Sequence, residues 1–204
     1  MTRVKAFIWM MPAALMLICG VASADVFLDM DYPGDPQDYG WSEDRYLPSE
    51  FDSVVFDGDK RLHFGIQASE QQVDGNLNYQ GAKYHTDLAG YFQSFSVDLY
   101  VDDSWQNQNR SVGLWVQGLL DDGTTFTYPF IEFKSKSNIQ NGFYARDYGG
   151  IGTPAPVVGF SPIDVNGYDD WYNLSIELSE GVGFEFFVDG VSIGSLANSN
   201  VVSL

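Results

Sequence analysis

His63, Gln67, Tyr100, Trp115, Gln117, Glu132, Tyr144, Arg146 and Tyr148 are the side chains of this 204-residue sequence best suited to hold a polyhydroxylated ligand. With the exception of Tyr148, which stands just past its segment, each occupies the polar phase of an alternating apolar and polar run. Aromatic rings mixed with amide, carboxylate and guanidinium groups on one sheet face suit a sugar, which has apolar ring faces and equatorial hydroxyls. The competing reading is an ordinary solvated face with cross-strand aromatic pairs. His63, Tyr144 and Arg146, with Gln117, are also the types that proton abstraction and carboxylate neutralisation require. A retaining glycosidase instead needs two carboxyls about 5 Å apart. Glu132, in Phe130-Ile131-Glu132-Phe133-Lys134, stands alone beside a lysine, the pattern of a structural cross-strand pair. The expectation is therefore a binding face with no catalytic residue; were the chain an enzyme, it would act through His63, Tyr144 and Arg146. His85, in a polar stretch, reads as an exposed loop residue.

A second candidate chemistry is metal binding. Asp25, Asp29, Asp31, Asp35, Asp38, Glu43 and Asp44 precede Arg45. Hard oxygen ligands at this density suit Ca²⁺ rather than zinc or copper, for which the chain has only two histidines and one cysteine. Asp29, Asp31 and Asp35 are the expected ligands of one structural Ca²⁺. As an EF-hand the run fails, because Pro33 and Gly40 stand where ligands belong. An acidic, solvated arm at 25–45 is the competing reading. The whole chain carries 28 acidic and 10 basic residues, a net charge of −18. Nucleic-acid partners are thereby excluded, since phosphate binding needs a surplus of Lys and Arg.

These side chains must be positioned by strands. Residues 94–101 read SFSVDLYV, with Phe95, Val97, Leu99 and Val101 apolar and polar groups between them, the period of a strand with one buried face. The same alternation runs through 60–68 (Leu62, Phe64, Ile66 and Ala68 inward), 111–119 (Val112, Leu114, Val116), 124–134 and 171–178. In the last, Trp171, Leu174, Ile176 and Leu178 are apolar with a slip of phase near Asn173. Turn clusters separate them at Asp57-Gly58, Asp74-Gly75-Asn76, Asp121-Asp122-Gly123, Asn141-Gly142, Asn166-Gly167 and Asp189-Gly190. Beyond residue 24, no dozen residues sustain a helical period. The fold class is all-β, a two-sheet antiparallel β-sandwich or jelly roll.

Residues 1–24 read as a signal peptide: Arg3 and Lys5, an apolar run from Ala6 to Val21, then Ala22-Ser23-Ala24 as a cleavage site. Broken by Pro12, the run is short for a bilayer span, which needs roughly 20 residues, and Ile18 before Cys19 argues against a lipoprotein. Cleavage removes the one cysteine, so the mature chain has no disulfide or thiol chemistry. The expected protein is secreted or displayed at the cell surface, with no membrane span after cleavage. Residues 25–204 read as one domain.

The most specific segment is 170–194, DWYNLSIELSEGVGFEFFVDGVSIG: a Trp-started strand, a turn at Glu180-Gly181, a second strand at 184–188, and an Asp189-Gly190 hairpin. The Asp-Gly pair supplies the positive φ of a type I′ turn. With YLPSEFDSVVFDGDKRL (46–62), YQGAKYHTDLAG (79–90) and YPFIEFKS (128–135), it resembles the concanavalin A-like lectin/glucanase superfamily. The likeness is to its laminin-G-like jelly rolls, in uncharacterised secreted bacterial proteins. The resemblance implies the sandwich, a concave ligand-binding sheet, often one structural Ca²⁺, and a polysaccharide or cell-surface glycan as partner. It implies fold more firmly than activity. The E-x-D-x-x-E strand of the glucanases is absent, as are the R-[ST]-E-L-R and Q-[IV]-H strands of the polysaccharide lyases. Such folds close with a further strand, whereas this sequence ends at Val201-Val202-Ser203-Leu204, so the expectation is a chain truncated at its C-terminus. The function expected is a non-catalytic carbohydrate-binding or matrix module. The alternatives are a polysaccharide lyase or glycoside hydrolase, and a structural adhesin without a small ligand.

Overall fold

The computed structural model describes residues 33–44, 46–65, 80–84, 94–137, 139–148, 157–164, 167–179 and 181–198, with the backbone of 201–203. Apart from two short 3-10 turns, its regular structure is antiparallel β throughout. The chain divides into two compact units, 1–87 and 88–204.

The N-terminal unit holds two hairpin-sized sheets. Strand β1 (Trp41–Glu43) pairs with β4 (Ala82–Tyr84), and β2 (Glu50–Phe56) with β3 (Asp59–Gly65). Asp57 and Gly58 have φ of 54° and 81°, so they close β2–β3 with the primed turn whose twist matches paired strands. Trp41, Phe51, Phe64 and Tyr84 gather edge-to-face or tilted, with ring centroids 4.9–6.4 Å apart, geometry that aromatic pairs favour.

The C-terminal unit contains one ten-stranded sheet. Its strands are β5 (Ser94–Val101), β6 (Arg110–Trp115), β7 (Gly118–Leu120), β8 (Phe126–Ser135), β9 (Gly142–Tyr148), β10 (Gly159–Pro162), β11 (Asp170–Ser179), β12 (Gly183–Val188), β13 (Val191–Ala197) and β14 (Val201–Ser203). The order is β14-β7-β8-β9-β10-β13-β12-β11-β5, with β6 also paired to β8. The sheet curls on itself, so that Phe143 of β9 meets Tyr172 of β11 at 4.8 Å and Phe133 of β8 meets Tyr168 at 6.2 Å. Inside the curl Ile131, Phe133, Phe143, Ala145, Leu174, Ile176, Phe184 and Phe186 are almost completely buried. The alternation read from the sequence is the alternation that fills this core.

Two details of the strands differ from the expectation. The register of β11 against β5 runs unbroken from Asp170–Val101 to Glu177–Ser94, so there is no slip of phase. Instead Tyr172 takes the inward position and Trp171 the outward one, where it pairs with Tyr100 at 5.4 Å. Val97, in the inward phase of β5, is 38% exposed on this edge strand.

The β11–β12–β13 meander forms as read. Asp189 and Gly190 adopt φ of 51° and 71° and set Val188 opposite Val191. Asp121-Asp122-Gly123 turns β7 into β8. There the Asp122 carboxylate accepts from the Thr124 and Thr125 amides at 2.8 and 2.7 Å and from the Thr125 hydroxyl. These hydrogen bonds, the hydroxyl's foremost, lower its pKa from 3.8 to about 2.

Candidate functional site

Strand β8 is the centre of the sheet's most unusual face. Its inward side chains belong to the core; the other side carries Phe126, Tyr128, Phe130, Glu132 and Lys134. Register then builds a grid across the neighbouring strands. Trp115 of β6 lies opposite Phe130, and Phe130 opposite Arg146 of β9. In the next row Gly113, Glu132, Tyr144 and Phe160 follow one another across β6, β8, β9 and β10, and then Ser111, Lys134, Gly142 and Pro162. Rows on the same face are about 7 Å apart and neighbouring strands about 4.8 Å, so these groups are near neighbours.

The first row is an aromatic platform. The Trp115 indole lies parallel to the Phe130 ring, 8° from coplanar with centroids 4.0 Å apart. Phe130 is thereby buried, while Trp115 keeps 40% of its surface exposed. Phe126 and Tyr128, further along β8, are exposed to a similar degree.

The second and third rows are polar. Glu132 is nearly buried and both its oxygens are engaged: Oε2 accepts from Ser111 Oγ at 2.9 Å, and Oε1 lies 2.7 Å from Lys134 Nζ and 3.4 Å from Arg146 Nε. Tyr144 donates its hydroxyl to the Gln140 carbonyl at 2.5 Å and packs its ring on Phe160 at 4.6 Å. Burial, foremost, and the Glu132 charge raise the pKa of its phenol against the opposing pull of Arg146, so the group stays protonated at neutral pH. A protonated Tyr whose proton is already placed on a carbonyl is a hydrogen-bonding group and not a base.

Two backbone devices hold the face in place. Gly113 permits β6 to approach β8, since a Cβ there would lie 2.0 Å from the Ile131 carbonyl oxygen and 2.7 Å from the Glu132 Cα. Beneath the face, Asp147 is buried and accepts from Thr127 Oγ1 at 2.5 Å and from the Tyr128 amide at 2.9 Å. It pins β8 where that strand exchanges its partner β6 for β7.

Of the side chains singled out from the sequence, Trp115, Glu132, Tyr144 and Arg146 therefore come together. Gln117 lies exposed in the bend between β6 and β7, and the backbone of Tyr148 stands opposite Tyr128. Tyr100 belongs to another part of the sheet, on β5, its ring tilted 59° to that of Trp171 and its hydroxyl donating to Asp169 Oδ1 at 3.3 Å. His63 belongs to the N-terminal unit, with Nδ1 3.0 Å from Asp52 Oδ1 across β2–β3. The trio named for catalysis is thus shared between the two units. Gln67, His85, Asp29 and Asp31 lie outside the described residues. Asp35 caps the 3-10 turn Pro36–Tyr39, accepting from the Gln37 amide at 2.9 Å. Among the described residues no group of three or more His, Cys, Asp or Glu is gathered to hold a metal, and no helix is long and apolar enough to cross a membrane.

Sequence reasoning missed Ser111, Phe130, Lys134 and Phe160 as members of the face. Lys134 and Ser111 were legible from parity alone, standing two residues from Glu132 and four from Trp115. Phe130 was not, because an apolar residue on a central strand reads as core until the ring that covers it is known. No family model matches the chain, and comparisons with curated proteins and with solved structures return no similar protein.

Proposed function

We propose that this chain is a secreted, non-catalytic carbohydrate-binding module, and that it binds through the face built by Trp115, Phe130, Glu132, Tyr144 and Arg146. The observation that carries the reading is the Trp115 indole lying flat on Phe130 beside a fixed polar network, on the side of the sheet turned away from the core. A flat ring held by a second ring presents an apolar platform of the kind a sugar ring covers, while the neighbouring polar groups orient the hydroxyls. The leader at 1–24 supports export. The curled sheet, with β8–β9 and β11–β12 meeting across one core, is consistent with a jelly roll of concanavalin A-like type whose two layers are joined at β10–β13.

The test is a glycan-binding screen with the intact protein and its Trp115→Ala variant, run beside an assay for released reducing ends and unsaturated uronate. Binding that falls at least about tenfold in the variant, with no sugar released, supports the reading. Sugar release would replace it with an enzyme, and silence in both assays would leave a structural adhesin.

A further inference from the structure

Resting on that reading, we infer that the ligand is an acidic polysaccharide, with a sugar carboxylate seated between Arg146 and Lys134. Cations are scarce in this protein, ten against 28 acids, yet two of them stand on this face two strand positions from one acid. Among the described outward positions of β6, β8 and β9, Glu132 is the one acidic residue; Asp147, next to Arg146, is buried on the core side. The local balance is therefore positive in a strongly negative molecule.

The way Glu132 is spent sharpens the inference. With Ser111 on one oxygen and Lys134 and Arg146 on the other, its acceptor capacity serves the protein and its charge holds the two cations in fixed positions. What the face still offers is donors. An ammonium has three, and a guanidinium five in a planar fork. Arg146 Nε is buried and has no hydrogen-bond acceptor among the described residues, although it lies within ion-pair distance of Glu132. Both side chains are mostly covered, 21% exposed for Arg146 and 29% for Lys134, so little rotamer entropy is left to lose when an anion arrives. Immobilised cations beside an aromatic platform fit a ligand that brings its own negative acceptors, and a carboxylate accepts two parallel hydrogen bonds from a guanidinium.

The molecule's net charge does not oppose this. Charges more than about 8 Å away are largely screened at physiological salt, so the contact region decides.

The experiment measures binding of the full chain to polygalacturonate, to the same polymer with its carboxyls reduced to alcohols, and to a sulfated polymer of similar length. Polygalacturonate should bind at least about tenfold more tightly than its reduced form. Arg146→Gln should erase that preference while Trp115→Ala weakens both polymers alike. Lys134→Gln, on a less buried side chain, serves as the second variant should Arg146→Gln fold poorly by circular dichroism. Equal binding of the charged and reduced polymers would overturn the acidic ligand and leave the glycan reading intact. Binding confined to the sulfated polymer would overturn the carboxylate. Binding to none of these polymers or to any glycan in the screen would overturn both.

Discussion

Glu132 decides the state of its whole neighbourhood, because three side chains converge on its two oxygens. Replacing it with Gln removes the charge but keeps the shape, leaving Arg146 and Lys134 mostly covered beside a neutral amide. We expect a loss of about 1–2 kcal/mol in stability, toward the lower end because both cations retain some solvent, measured by urea denaturation. Trp115 behaves differently. Its removal exposes Phe130 and forfeits a ring contact worth about 0.5–1.5 kcal/mol, so Trp115→Ala should remain folded while binding fails. Asp122 supplies a test by pH. Its folded pKa of about 2 lies below the ordinary 3.8, so the carboxylate's contribution is fully present above pH 4 and is lost as pH falls through about 2. The Thr124 and Thr125 amide resonances should titrate with that low midpoint; a midpoint near 3.8 would show that the turn does not hold the charge. At this scale the sequence revealed residue types and parity well. It could not reveal that Glu132 is saturated by its neighbours, since that depends on which strand lies beside β8.

Elements were legible where turn chemistry and alternation agree. The Asp57-Gly58 and Asp189-Gly190 turns both adopt the positive φ that the pairs suggest, and the inward phases of β8, β11 and β12 supply the core. Trp171 misled because an aromatic at a strand's start was counted as apolar and hence inward; its outward partner Tyr100 comes from β5, a pairing that no local pattern encodes. Gly113 was equally silent in the sequence. A methyl group there meets the backbone of β8, which cannot yield as a side chain tip can. Gly113→Ala should therefore cost about 1–3 kcal/mol and weaken glycan binding as β6 shifts. Hydrogen exchange should show faster opening of β6 with little change in β11–β12. Uniform acceleration across the sheet would instead mean that the substitution acts on global stability alone.

For the whole molecule, the all-β antiparallel class was readable from the absence of helical periods and the frequency of turn clusters. The division at residue 87 was not, since no Pro-rich or Ser-rich stretch marks it. Each unit contains its own aromatic or aliphatic core. Residues 88–204, made alone, should melt cooperatively with a β-type circular dichroism spectrum; a chain without a transition would show that the core needs the N-terminal unit. The proposed sugar site is one face of β6, β8 and β9. Amide and side-chain chemical-shift mapping of the intact protein, titrated with a glycan it binds, tests this directly. Perturbations should centre on the Trp115 indole, Tyr144 and the Arg146 guanidinium, with Tyr100 and Trp171 unmoved. Perturbations that gather instead around Tyr100 and Trp171, or around His63, would contradict it.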